Sequence, residues 1–222
     1  MEYLSLEPQD EHKYTLIWLH GLGDTAYGFL DIFYTPSFQM APSHAKIVLL
    51  TAPTREVTLN MGMQMTSWYD IVSLDTSGLS KNIDLNQLYE SWDIILNFVD
   101  QEAQIFDNDY SKVFIGGFSQ GWWMAYSTFL NCKHTIGGLI AVSGHTPPLD
   151  DIKISEEKKA VPIFSYHGQD DPMVPEGLHR AGAKVLKDHG LNISYKIEPG
   201  LQHSLSMDEI NDIKQFLNNH MK

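Results

Sequence analysis

The segment Gly117-Phe118-Ser119-Gln120-Gly121 restricts the fold of this chain more than any other feature. An apolar run at residues 112–118 predicts a buried strand before the serine, and residues 120–130 have a helical pattern after it. In such a tight turn the serine is strained, and side chains two positions before and after it would collide. Glycine at both positions removes these collisions. The segment therefore predicts a strand, a sharp turn and a helix, with the Ser119 hydroxyl exposed as a nucleophile.

Strand-like and helix-like segments alternate along most of the chain. Several strand-like runs are apolar at every position, which is typical of parallel strands covered on both faces. The alternation predicts an α/β fold with a mostly parallel central sheet and helices on both faces, formed by residues 1–222 as a single domain. The predicted strands are residues 14–20, 46–50, 112–118, 138–143, 161–167 and 192–197, and the predicted helices are residues 83–106, 120–130, 176–189 and 207–220.

Two other local patterns carry expectations about structure. Residues 53–79 and 144–159 are the least regular parts of the chain and are expected to be long loops. The last helix begins with Ser206-Met207-Asp208-Glu209. This pattern predicts a capping box, in which the Ser206 and Glu209 side chains each accept a hydrogen bond from the other residue's backbone N–H.

The composition narrows the classes of protein to which the chain can belong. With 222 residues, 43% of them hydrophobic, the chain can bury one sizeable core. A net charge of −13 disfavours binding to nucleic acid and to anionic lipid, whose phosphates would repel it. No apolar run reaches the roughly 18 residues that a membrane-spanning helix needs, and the first residues lack the features of a secretory signal. The single cysteine, Cys132, fits a reducing compartment. The chain is therefore expected to be cytoplasmic, without stable membrane insertion; a homodimer is compatible with the sequence but not indicated by it.

A nucleophilic serine needs a base that removes its proton, and an acid that orients the base. In α/β-hydrolases, which share this turn, the acid and then the histidine follow the serine along the chain, each after the carboxyl end of a strand. The predicted strand at residues 161–167 leads to Asp170 and Asp171. Asp171 is favoured because the following proline restricts its conformation, whereas Asp170 is expected to be a solvated loop carboxylate. His203 follows the next strand and is the predicted base; its alternative is a loop histidine without a role.

The tetrahedral intermediate of acyl transfer also needs two N–H donors for its oxyanion. One is predicted to be the backbone N–H of Gln120, the residue after the nucleophile. The other should come from the loop after an early strand. Residues 18–24 form such a loop, with glycines that allow close approach of the substrate, and the second donor is assigned to the backbone N–H of Leu22.

These segments together resemble those of the acyl-protein thioesterase/lysophospholipase-like carboxylesterases. The similarity covers nearly the whole chain, and the Asp-Pro pair at 171–172 supports Asp171 over Asp170. The resemblance implies hydrolysis of S-acylated proteins, lysophospholipids or small carboxylic esters, with no metal or organic cofactor. The segments that carry it are residues 19–25, 52–54, 57–60, 67–71, 116–121, 167–175 and 203–204.

Apolar residues near the predicted catalytic loops are candidates for contact with the acyl chain. For each of them, ordinary packing in the core is an equally good interpretation. Met61, Met63 and Met65 alternate with a period of two, so all three would share one face if their segment is extended. The candidate contact residues are Met65, Trp68, Ile71, Val72 and Met173.

Two segments depart from the family's pattern. Trp122-Trp123 follows the turn where the family usually has small residues, and His145 stands where an aromatic or aliphatic residue is common. Positions three and four beyond Ser119 on a helix lie on the same side as the serine. Trp122 and Trp123 are therefore predicted to contact the substrate and to reshape the acyl channel. The alternative is that they pack against neighbouring helices and loops.

The residues thus predict a serine hydrolase, and the resemblance implies removal of acyl groups from protein cysteines as the favoured reaction. The alternative within this class is a small-ester carboxylesterase or lysophospholipase. The alternative from another class is a catalytically silent hydrolase fold used for binding, against which the retention of Ser119, Asp171 and His203 argues. None of the other histidines belongs to a metal-binding motif, so no metal site is predicted.

Overall fold

The computed structural model describes residues 1–73, 82–145 and 154–222. Its strands are β1 (Tyr3–Leu6), β2 (Tyr14–Leu19), β3 (Ala45–Leu50), β4 (Thr54–Val57), β5 (Met63–Thr66), β6 (Val113–Phe118), β7 (Gly138–Val142), β8 (Ile163–Gly168) and β9 (Ile193–Glu198). Seven of them form one sheet in the order β1-β3-β2-β6-β7-β8-β9, and β4 pairs with β5 in a separate hairpin. In the large sheet only β1 runs antiparallel to its neighbour. The mostly parallel sheet that the sequence predicts is confirmed.

Helices cover both faces of this sheet, as predicted. The helices are α1 (Leu30–Tyr34), α2 (Leu85–Gln104), α3 (Gln120–Asn131), α4 (Glu156–Ala160), α5 (Glu176–Asp188) and α6 (Met207–His220), with short 3₁₀ helices at Ala26–Phe29, Thr58–Asn60 and Tyr110–Lys112. Helices α2, α3 and α5 pack on one face. Helices α1 and α6 pack on the other, together with the 3₁₀ turn before α1.

Strand β2 explains why the central runs are apolar throughout. All six of its residues are buried. Because successive side chains point to opposite faces, Ile17 and Leu19 enter the core beside α2 and α3, whereas Leu16 and Trp18 enter the core beside α1 and α6. Both faces of the strand are covered, so no polar alternation is visible in its sequence.

The six predicted strands and four predicted helices are all present, and their ends agree within two residues. The sequence pattern does not reveal five short elements, each of four or five residues, namely β1, β4, β5, α1 and α4. Such short elements hold too few positions for a periodic pattern to be recognised. Strand β1 also lies at the edge of the sheet and is half exposed, so its composition is mixed.

The expected loop at residues 53–79 is partly wrong, because it contains the hairpin of β4 and β5. Met61 lies in the turn of this hairpin with a φ of 57°, a left-handed conformation. It is therefore not part of an extended run with Met63 and Met65, and the three side chains do not share one face. Residues 74–79 and 146–153 of the two expected loops lie outside the described residues.

The capping box at α6 is half formed. The Ser206 hydroxyl accepts a hydrogen bond from the Glu209 N–H (3.0 Å), as predicted. The prediction of a return bond from the Ser206 N–H to the Glu209 side chain is wrong. Glu209 is fully buried, and neither oxygen of its carboxyl group has a hydrogen-bond partner among the described residues. The Ser206 hydroxyl donates instead to the carboxylate of Glu198 at the end of β9 (2.6 Å).

Candidate active site

Ser119 lies between β6 and α3 in a conformation that non-glycine residues rarely adopt, with a φ of 55° and a ψ of −115°. The glycines on either side are required by the close approach of the backbone. An added Cβ on Gly117 would lie 2.2 Å from the carbonyl oxygen of Gly121, and one on Gly121 would lie 2.1 Å from that of Leu19. The predicted strand, sharp turn and helix are therefore present, and Ser119 is partly accessible at the carboxyl end of β6.

The structure brings Ser119, His203 and Asp171 together in one hydrogen-bonded chain. His203 Nε2 lies 2.9 Å from Ser119 Oγ, and His203 Nδ1 lies 2.7 Å from Asp171 Oδ2. Because an ionised carboxylate can only accept, Nδ1 carries the proton and Nε2 presents its lone pair to the Ser119 hydroxyl. This is the arrangement in which an imidazole removes a proton from a serine.

Asp171 is held as a carboxylate by its surroundings. Burial on its own would raise the pKa of Asp171, but hydrogen bonds from His203 and from the Val174 and Met173 N–H groups hold that pKa below its usual value. The two backbone donors reach Oδ1 at 2.8 and 2.9 Å, so the other oxygen stays aimed at His203. The neighbouring Asp170 is exposed, as the sequence analysis expected.

A buried histidine supports the loop that carries Asp171. His167 Nε2 donates to the carbonyl oxygen of Val174 (2.8 Å), and its ring stacks on that of His179, with 4.5 Å between the ring centroids. Burial lowers the pKa of His167, and burial with the adjacent His167 lowers the pKa of His179 to about 3. Both rings are therefore neutral at pH 7 and add no positive charge beside the Asp171–His203 pair.

The two predicted oxyanion donors, the N–H groups of Leu22 and Gln120, have no hydrogen-bond acceptor within the described ranges. Both follow strands, β2 and β6, that are neighbours in the sheet. His20 fixes the Leu22 loop: its Nε2 accepts from the Ala52 N–H (2.9 Å), so its Nδ1 carries the proton and donates to the Gly21 carbonyl oxygen (2.6 Å). The free donors thus sit on backbone that is held in place.

The Gln120 side chain joins the serine turn to residues 67–69. Its Oε1 accepts from the Trp68 N–H (3.0 Å), and its Nε2 donates to Ser67 Oγ (3.0 Å) and to the Tyr69 carbonyl oxygen (2.8 Å). The Gln120 backbone N–H is directed elsewhere and stays free. One residue therefore both anchors the turn and carries a candidate oxyanion donor.

A cavity of about 420 Å³ opens beside Ser119 and His203. Three of the seven predicted substrate contacts line it, namely Ile71, Trp123 and Met173. Lining residues that the sequence analysis did not select as contacts are Gly21, Asp24, Leu59, Asn60, Tyr69, Phe118, Gly144, His145 and Val174. Most of these lie within one or two positions of segments already singled out, so proximity in sequence to the catalytic loops was the available signal.

Trp68 and Trp122 do not line the cavity, and their prediction as contacts is wrong. Trp68 is fully buried, and its Nε1 donates to the His20 carbonyl oxygen (2.9 Å). It therefore supports the backbone that leads to Leu22. Trp122 packs beneath Gly144 and meets the His179 ring edge-on.

Met65 and Val72 also lie outside the cavity lining. The Met65 sulfur accepts a hydrogen bond from Asn60 Nδ2 (3.1 Å), and it is Asn60 that faces the cavity. Val72 is 48% exposed on the outer surface beyond Ile71. Ile71 forms an isolated bridge with Ile83 and lines the cavity, whereas its neighbour Val72 does not.

No set of three or more His, Cys, Asp or Glu side chains is grouped to hold a metal ion in the parts of the chain that are described. Within the same parts, none of the helices combines the length and the apolar character needed to cross a membrane.

The sequence matches the Phospholipase/Carboxylesterase family over residues 5–221. The chain belongs to this family. Among its relatives, acyl-protein thioesterase 1 of Gibberella zeae is 30% identical over 93% of this chain and 90% of its own length. Acyl-protein thioesterase 1 of Saccharomyces cerevisiae is 34% identical over 92% of each chain.

Two solved structures agree with this assignment. The crystal structure of Arabidopsis thaliana SOBER1 is 31% identical, covers 94% of this chain and 99% of its own, and superposes with a TM-score of 0.80. Zea mays acyl-protein thioesterase 2 is 22% identical with a TM-score of 0.84, covers 100% of this chain and 99% of its own, and supports the fold. The predicted family and fold class are confirmed, and the chain is an α/β-hydrolase that cleaves acyl esters or thioesters.

Proposed function

We propose that this chain is an acyl-protein thioesterase in which Ser119, His203 and Asp171 form the catalytic triad. The observation that carries the proposal is the hydrogen-bonded chain from Asp171 through His203 to Ser119, at the mouth of a cavity with many apolar side chains. The names of relatives that match nearly the whole chain at 30–34% identity support a thioester of a protein cysteine as the substrate.

The geometry supports a two-step acyl transfer. His203 Nε2 takes the proton of Ser119 as Oγ attacks the acyl carbonyl, and Asp171 stabilises the imidazolium that forms. The Leu22 and Gln120 N–H groups receive the oxyanion. The protonated His203 then gives its proton to the leaving thiolate or alkoxide. A water molecule activated by the same histidine releases the acid and restores Ser119.

A side-by-side assay of three substrates tests the favoured reaction. The purified chain is given an S-palmitoylated peptide, a lysophospholipid and a p-nitrophenyl butyrate ester, with Ser119→Ala as the matched control. We expect the largest kcat/KM on the thioester and a loss of at least about 10⁴-fold on all three in the control. A larger kcat/KM on the lysophospholipid or the short ester would transfer the function to the alternative hydrolase activities.

The catalytically silent alternative makes a different prediction. It requires that the tryptophans block the site, yet Trp122 lies outside the cavity lining and Trp123 forms part of the wall. A fluorophosphonate probe is expected to label Ser119 in the wild-type chain and not in His203→Ala. If wild-type Ser119 stays unlabelled, the silent binding protein becomes the better description.

We also propose a cytoplasmic location, supported by the single cysteine, which is buried. Confocal imaging of a tagged chain tests it. A homodimer stays a hypothesis. Sedimentation at two protein concentrations measures the molecular mass in solution and tests it. Catalysis as proposed needs no cofactor, because the nucleophile, base and oxyanion donors are all supplied by the chain.

A further inference from the structure

The backbone of Val174 connects a buried histidine to the carboxylate of the proposed triad. The Val174 N–H donates to Asp171 Oδ1 (2.9 Å), and the Val174 carbonyl oxygen accepts from His167 Nε2 (2.8 Å). No other donor within residues 1–73, 82–145 and 154–222 reaches this carbonyl oxygen. The turn that orients Asp171 is therefore fixed at its far end by one N–H group of His167.

His167 also lies directly against the Asp171–His203 pair. Its Nε2 is 3.9 Å from Asp171 Oδ2, the oxygen that accepts from His203, and the side chains of His167 and Asp171 are both fully buried. Because a carbonyl oxygen can only accept, the Nε2 that reaches Val174 carries the proton. Burial lowers the pKa of His167, so its ring is neutral at pH 7. The N–H dipole therefore faces the carboxylate, and no second cation competes with His203 for it.

Two further side chains hold the ring of His167 in place. His179 stacks on it, with 4.5 Å between the ring centroids and an interplanar angle of 13°, and His179 Nδ1 lies 3.3 Å from the Gly144 carbonyl oxygen. Trp122 meets the His179 ring edge-on from the first turn of α3, with 5.1 Å between the centroids. Trp122, His179 and His167 therefore form a continuous row of rings from α3 to the loop that carries Asp171.

We propose that His167 is a positioning residue: its Nε2–H, acting through the Val174 carbonyl, keeps Asp171 Oδ2 directed at His203. Without this donor the turn at residues 171–174 loses the bond that fixes its far end, and the Asp171–His203 hydrogen bond lengthens although both residues are retained. His167 itself does not line the cavity, so it acts through Asp171 and not on the substrate. The proposal rests on the hydrolase function proposed above and deepens it.

Variants at position 167 separate the effect of the donor from the effect of the ring. His167→Gln carries an amide N–H at nearly the same reach as Nε2 and can still donate to Val174. His167→Asn is one methylene shorter and cannot, and His167→Phe keeps a ring that stacks on His179 but has no donor. The matched control is His44→Phe. His44 Nε2 also lies 2.9 Å from a backbone carbonyl oxygen, that of Met221, and neither of these two residues lines the cavity.

Each variant is measured in two ways. The kcat for p-nitrophenyl butyrate reports catalysis, and the downfield ¹H resonance of the His203 Nδ1 proton reports its hydrogen bond to Asp171. We expect His167→Asn and His167→Phe to lose about 10- to 100-fold in kcat, the cost of misplacing a catalytic group by about 1 Å. In both variants the resonance should disappear or move upfield. His167→Gln should keep both quantities close to those of the wild-type chain, and His44→Phe should leave both unchanged.

A measurement on the wild-type chain covers the case in which the variants do not fold. The ¹⁵N spectrum of its histidines should show His167 as the neutral tautomer with the proton on Nε2 at pH 7, and a proton on Nδ1 would overturn the inference.

Three other results would overturn the inference while leaving the hydrolase function intact. They are an unchanged kcat in His167→Asn and His167→Phe, a retained downfield resonance in these two variants, and equal losses in His167→Gln and His167→Asn. The last result would mean that packing of the ring matters and the donor does not. Absence of turnover that depends on Ser119 in the wild-type chain would instead overturn the proposed function.

Discussion

At the scale of single residues, Gly121 is predicted to tolerate no side chain. An added Cβ would lie 2.1 Å from the Leu19 carbonyl oxygen, on backbone that cannot yield without moving the sheet. Gly121→Ala should therefore lower the free energy of unfolding by about 1–3 kcal/mol, as overpacking does, and should reduce turnover because Ser119 shifts. Urea unfolding and an ester assay measure both effects.

Gly177 provides the matched control for this substitution. It lies near the start of α5, and an added Cβ would meet nothing within 4 Å. Gly177→Ala should leave turnover unchanged and stabilise the chain by up to about 1 kcal/mol, because alanine favours the helix. Equal effects of the two substitutions would contradict the steric account of Gly121.

The residues of the site differ in how far the sequence could predict them. Ser119, Asp171 and His203 are defined by their order after strand ends, and the structure brings these three together. Trp68 and Trp122 were not predictable in the same way. Their positions next to catalytic segments suggested the cavity, but what covers a large side chain depends on distant residues, here His20 for one and Gly144 for the other.

At the scale of elements, the first turn of α3 separates the two tryptophans. Consecutive helical residues point about 100° apart, so Trp123 lines the cavity while Trp122 faces Gly144 and His179. Helical spacing alone predicts both tryptophans on the side of Ser119, because positions three and four beyond a residue are its neighbours on an isolated helix. Gly144, in the loop after β7, covers Trp122 and leaves Trp123 to line the cavity. The helical spacing of the two tryptophans does not predict where this loop lies.

Trp123→Ala is predicted to change acyl-chain preference, and Trp122→Ala to change mainly stability. Removing the Trp123 indole enlarges the cavity, so the ratio of kcat/KM for p-nitrophenyl dodecanoate over butyrate should rise about tenfold. Trp122→Ala should cost about 3–5 kcal/mol of stability with a smaller change in that ratio. An unchanged ratio in Trp123→Ala would argue against its contact with the acyl chain.

The start of α6 is predicted to make stability depend on pH through Glu209. Burial raises the pKa of this carboxyl group to about 8, and the nearby carboxylates of Glu198 and Asp212 add to that shift. Between pH 4.5, the ordinary pKa of a glutamate, and pH 8, the folded chain keeps a proton that the unfolded chain has lost. The contribution of this group to stability therefore falls as the pH rises through that window.

Glu209→Gln keeps the shape of the neutral carboxyl group and removes its titration. The variant should match the wild-type chain near pH 5 and exceed its free energy of unfolding by on the order of 3 kcal/mol at pH 8. Burial lowers the pKa values of several histidines, so the folded chain loses stability as the pH falls below about 6.5. This loss is the same in the variant and in the wild-type chain. Urea unfolding at pH 5 and at pH 8 measures the difference in free energy of unfolding between the two chains. An equal difference at both pH values would contradict the assignment of this pH dependence to Glu209.

At the scale of the whole molecule, the parallel sheet explains why distant segments form one site. Ser119, Asp171 and His203 follow β6, β8 and β9, and Leu22 follows β2, so all four lie beyond carboxyl ends of parallel strands at one edge of the sheet. The order of β and α segments was enough to predict this edge. The hairpin of β4 and β5 and the wall at residue 145 were not predictable, because neither belongs to the repeating pattern.

The carboxyl-terminal residues pack against the start of β2, and we propose that residues 1–222 unfold as one domain. The Tyr14 hydroxyl at the start of β2 donates to the Lys222 carbonyl oxygen (2.8 Å), and the Met221 side chain is 1% exposed in the core beside α6. Met221→Ala should lower the free energy of unfolding by about 2–4 kcal/mol. It should shift the loss of helix signal and the loss of esterase activity to the same lower urea concentration, whereas Lys222→Ala, which keeps the carbonyl, should shift neither. Two separate transitions in the wild-type chain, or activity that outlasts the helix signal in Met221→Ala, would mean that the site does not share one cooperative unit with the carboxyl terminus.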